Sequence, residues 1–129
     1  AARQTGAVCL AAGVAPDADH IVDFLAQYGW RSFSLKRCYT VCAGTRGDPA
    51  PDQLQTVRLF LHSIEAAILL GLIAALTRDH YLVAASIGYA GHLILDTAGN
   101  PVTPQFYLLS WRAARKFRAR DLFPAGRNS

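Results

Sequence analysis

The stretch RDHYLVAASIGYAGHLILDTAGNP, residues 78–101, decides how the chain is read. Two apolar runs flank the glycine-bearing segment GYAG, and TAGNP follows the second run as a turn signal. Read as a hairpin about IGYAG, the stretch gives two neighbouring antiparallel strands. The start of the first strand then faces the end of the second, which sets His80 beside Asp96. A carboxylate that holds one imidazole nitrogen fixes the tautomer and raises the basicity of the other nitrogen. The competing reading makes both residues ordinary polar strand ends.

Outward from this stretch, helical and strand signals alternate. In PDADHIVDFLAQYGW, Ile21, Phe24, Leu25 and Tyr28 share one helical face, with Asp17 or Asp19 as cap and Gly29 as stop. RSFSLKR alternates as a strand does, with Phe33 and Leu35 on one side. CAGTRGDPAPD, residues 42–52, reads as a loop. A second helix is expected from Asp52, through Leu54, Val57, Leu61, Ile64 and Ile68, ending at Gly71. LIAAL then reads as a buried strand, and QFYLLSWRAARKFRARDLF as strand and helix with Ser110 as cap. This order predicts one α+β domain over residues 1–129, with helices packed on a mainly antiparallel sheet. The start AARQ, without methionine, leaves room for a leader or an upstream segment.

Composition excludes disorder, since 52% of the 129 residues are hydrophobic and only 17% are charged. The longest apolar run, AAILLGLIAAL, has 11 residues where a membrane helix needs about 20. No membrane span is therefore expected. The net charge of +4 is concentrated at the end of the chain. From Arg112 onward, Arg112, Arg115, Lys116, Arg118, Arg120 and Arg127 stand against Asp121 alone. Such an end suits nucleic acid, a membrane surface or an acidic partner, and equally a solvated helix face.

Cys9, Cys38 and Cys42 cannot all pair, so a reducing compartment such as the cytoplasm is favoured, with secretion from a bacterium the other reading. Cys38 and Cys42 with His62 could hold zinc, but buried free thiols are the simpler reading. The remaining histidines are expected in unremarkable places: His20 facing solvent, His62 beside the buried stripe of the second helix. His92 and Asp96 fall at opposite ends of one strand and are not a dyad. No phosphate loop, dinucleotide fingerprint or serine elbow is present.

Cys9, in RQTGAVCLAA, is the candidate nucleophile. If CLAA opens a helix, the unpaired amides there stabilise a thiolate, and the Gln4 amide upstream could donate to an oxyanion. RQTGAVCLAA followed by GLIAALTRDHYLVAASIGYAGHLILDTAGNP resembles the papain-like fold of bacteriocin-processing, double-glycine leader peptidases. The resemblance implies a bacterial thiol protease engaged in peptide processing, with Cys9 as nucleophile, His80 as base, Asp96 as orienter and Gln4 as oxyanion donor; acyl transfer on an amide, by deamidation or transamidation, would use the same residues. It implies a peptide or protein substrate and no metal or organic cofactor. A shifted register, with Thr5 at the nucleophile position, implies instead the non-cleaving relatives that bind transport substrates. Nucleic-acid binding through the basic end is the third expectation, held below the other two.

Overall fold

The computed structural model describes residues 2–44, 54–100 and 102–123. Among these the chain forms α1 (Ala2–Val14), α2 (Ala18–Tyr28), α3 (Leu35–Gly44), α4 (Ile64–Thr77), α5 (His80–Gly99), α6 (Leu109–Ala114) and α7 (Ala119–Leu122). Short 3-10 turns at Ala15–Asp17, Trp30–Ser32 and Pro104–Tyr107 join them. The one β feature among the described residues is an isolated bridge between Thr56 and Arg118. The expected α+β architecture is thereby overturned, and with it the papain-like resemblance and the thiol-protease reading, since that fold requires a sheet.

The supposed hairpin is a single helix. Asp79 caps it by accepting the Tyr81 and Leu82 amides at 2.8 and 3.0 Å, and no proline interrupts it before Gly99. GYAG lies within it as a packing surface and makes no turn. LIAAL likewise continues α4, which Ser63 caps through the Ala66 amide and Arg78 closes in the left-handed region. RSFSLKR divides between a 3-10 turn and the start of α3. The reading of residues 18–28 agrees: Gly29, with φ of +75°, closes α2.

Gln4 on α1 meets Tyr81 on α5, and further along the Cys9 and Gly13 backbone meets Gly88. The two helices therefore run parallel in close contact. A Cβ on Gly88 would overlap the Cys9 carbonyl, so this crossing requires glycine. On its other side α5 folds back against α4.

The hydrophobic core lies at one end of these helices. Phe24, Val41, Leu54, Val57, Leu59, Tyr107 and Leu122 gather with Tyr89 and Leu93 in the middle of α5. α1, α4 and the side of α5 turned away from this core form an arm. Within the arm only Ala74 and Ala84 are buried.

Candidate functional site

One face of α2 builds the site. Asp19, Asp23 and Gln27 recur every fourth residue, so they line up along the helix. Each clamps the backbone of the extended segment that leads into α4. Gln27 Oε1 accepts the Gln55 and Thr56 amides at 2.7 and 3.1 Å, and its Nε2 donates to the Thr56 carbonyl at 2.8 Å. Asp23 Oδ2 accepts the Arg58 and Leu59 amides at 2.7 and 3.3 Å. Asp19 Oδ2 accepts the Leu61 amide. Burial, opposed by these amides, pushes the Asp23 carboxyl above its ordinary range.

The ladder delivers His62 to a fixed position. Its amide donates to the Leu59 carbonyl at 3.0 Å, and its carbonyl accepts from Arg112 at 2.9 Å. Arg112 is wholly buried over the Phe106 ring, and desolvation lowers its pKa. The His62 side chain is 2% exposed.

His92 and Asp96, one turn apart on α5, face the same point. His62 Nε2 lies 3.2 Å from His92 Nε2 and 3.3 Å from Asp96 Oδ2, while His92 Nε2 lies 3.4 Å from Asp96 Oδ2. Asp17, on the turn between α1 and α2, brings Oδ1 to 3.7 Å from His92 Nε2. These separations have a simple meaning. A tetrahedral ion bound at about 2.0–2.1 Å sets its ligand atoms about 3.3 Å apart. Two imidazole nitrogens and one carboxylate oxygen thus have the spacing of three corners of such a tetrahedron, and Asp17, His62 and His92 bring ligand atoms within 4.8 Å of one another.

The outer surroundings suit the same use. His62 Nδ1 has no hydrogen-bond partner, and Asp19 Oδ2 stands 3.9 Å from it. A carboxylate on that side favours the proton on Nδ1 and leaves the Nε2 lone pair for a metal. The His20 ring packs edge-on against His62 with centroids 4.9 Å apart. His20, Asn100 and Tyr107 help line a small cavity of about 10 Å³ that reaches His62 and Asp96, room for about one water.

The four residues expected to form the peptidase site are dispersed. His80 opens α5 and is exposed. Asp96 follows sixteen residues later on the same helix, about 24 Å along its axis. Cys9 lies in the middle of α1, where no helix terminus can act on its thiol, and it packs at Gly88 rather than near His80. Gln4 accepts the Tyr81 hydroxyl at 3.1 Å. Thr5 sits within the same helix.

The proposed Cys38–Cys42–His62 zinc site does not assemble either. Both thiols are buried against the His20 carbonyl, at 3.8 and 3.9 Å. Asp96 does join a site, with different partners. The strand reading hid His92 and Asp96 by placing them at opposite ends of one element, whereas helical spacing places them on one face.

No protein-family model matches the chain, and no curated protein or solved structure matches it. Among the described residues no helix is long and apolar enough to cross a membrane.

Proposed function

We propose that the chain binds one divalent transition-metal ion through His62, His92 and Asp96. The observation that carries this reading is the mutual 3.2–3.4 Å spacing of the three ligand atoms. Two neutral imidazoles and one carboxylate suit zinc, and also iron, cobalt or nickel. Two imidazole nitrogens and a carboxylate oxygen could also be held together by hydrogen bonds alone. Each neutral ring, however, offers one proton, while a central cation satisfies all three lone pairs together.

The fourth corner is the solvent side of the site. The Asp17 side chain is 59% exposed, so water can replace it there. A bound ion lowers the pKa of such water towards neutrality and makes it a nucleophile.

Elemental analysis of the purified chain tests the reading. About one ion per chain is expected, lost in His92→Gln and Asp96→Asn variants that keep the parent's helical circular dichroism. Cobalt substitution should give the intense visible bands of a tetrahedral complex. A folded chain that takes up no zinc or cobalt would refute the proposal.

A further inference from the structure

We infer that the arm formed by α1, α4 and α5 is a docking surface for the interface of an anionic phospholipid membrane, lying in its plane. This inference is independent of the metal site. Ile68, Leu69, Leu72 and Leu76 on α4 are between 56% and 84% exposed. Ile87 and Ile94 on α5 and Leu10 on α1 are between 63% and 73% exposed. From Ala66 to Leu76 α4 carries no charged or polar side chain, and its exposed residues cover nearly half its circumference. An apolar surface of this breadth is more than water normally touches.

Three features select lipid as the occupant. First, the arm is a single layer. α1 and α4 both pack on α5, and among the described residues no second layer covers them. Second, α1 meets α5 through Gly13 and Gly88 at backbone distance and buries no residue of its own. Close packing of small residues holds helices together where the surrounding medium is itself apolar.

Third, the charges fit anionic headgroups at both ends of the arm. Arg3 and Arg78 stand at the tip beside Asp79; Lys116 and Arg118 are exposed at the head, where Ala119 bonds to Gln55 and Arg118 bridges Thr56, while Arg120 pairs with Asp121 at 3.7 Å. The charged tip also sets the orientation, because Arg78 and Asp79 would be costly at the bilayer centre. The arm therefore lies along the interface, with apolar side chains in the acyl boundary and basic ends among the headgroups. A second copy is a poorer occupant: antiparallel pairing would set the basic tip against the basic head.

Flotation of the full chain with vesicles of phosphatidylcholine, with and without phosphatidylglycerol, tests this. Strong binding is expected only when phosphatidylglycerol is present, with a loss of about tenfold or more in L72D/I87D. Since that variant could misfold, Leu72→Trp gives a second readout. The emission of the new indole should shift to the blue on binding and be quenched by lipids brominated near the headgroup end of the acyl chain. A chain that stays with the soluble fraction in both vesicle types overturns the inference. So does an indole signal already blue-shifted without lipid, rising with protein concentration and untouched by brominated lipid, which would assign the surface to a second copy.

Discussion

Asp19 is the residue through which the α2 ladder and the candidate metal site communicate. It accepts the Leu61 amide while facing His62 Nδ1. Asp19→Asn keeps an acceptor for the amide but removes the charge that favours the Nδ1 proton. Metal affinity is expected to fall about 10- to 100-fold, read by competition with a chromophoric chelator, with thermal stability nearly unchanged. Glu65 is a different kind of residue. Partial burial opposes its ionisation, yet the Ser110 and Leu109 amides and the Ser110 hydroxyl hold its pKa down to about 2. Its folded value lies below the unfolded one, so its stabilisation is full above about pH 4.5 and fades as pH falls towards 2. Glu65→Gln should cost about 1 kcal/mol at neutral pH and flatten that acid limb in urea titrations. An unchanged limb would show that α4 and α6 are held together by other contacts.

At the scale of elements, glycines separate packing from propensity. Gly88→Ala would push a Cβ into the Cys9 carbonyl, and the backbone at a helix crossing cannot move aside cheaply. A loss of about 1–3 kcal/mol is expected in denaturation, through separation of α1 from α5. Gly71 has open space around its would-be Cβ, so Gly71→Ala should stabilise α4 by about 0.5–1 kcal/mol. Equal effects at the two positions would mean that the α1–α5 contact is looser than its geometry. Glycines also explain why the sequence pattern points to strands. GYAG carries the chemistry of a turn, and Gly71 that of a helix stop. In an apolar run periodicity cannot separate a buried strand from a helix, so glycine weighs heavily in the reading. The residues that decide are Ser63 and Asp79, caps placed just before the apolar runs. The α2 helix is legible because its stripe is amphipathic and Gly29 ends it.

For the whole molecule, the sequence by itself determined the α2 helix, the buried thiols Cys38 and Cys42, the lack of a spanning helix among the described residues, and the basic end. Each depends on composition or on residues within a turn or two of one another. The candidate site was only half legible. Asp96 stands out in the chain, but its partners His62 and His92 lie thirty-four and four positions away, and helical geometry had to be known before either could be counted. Only the tertiary structure decided that an α2 ladder carries His62 to α5, and that the peptidase candidates are spread along two helices. It alone showed an apolar arm left outside the core. The physical reason is that a site of this kind is a meeting of side chains across elements. Its energy lies in long-range hydrogen bonds such as that from Arg58 to Asp23 and in the Gly88 crossing, neither of which leaves a local pattern in the chain.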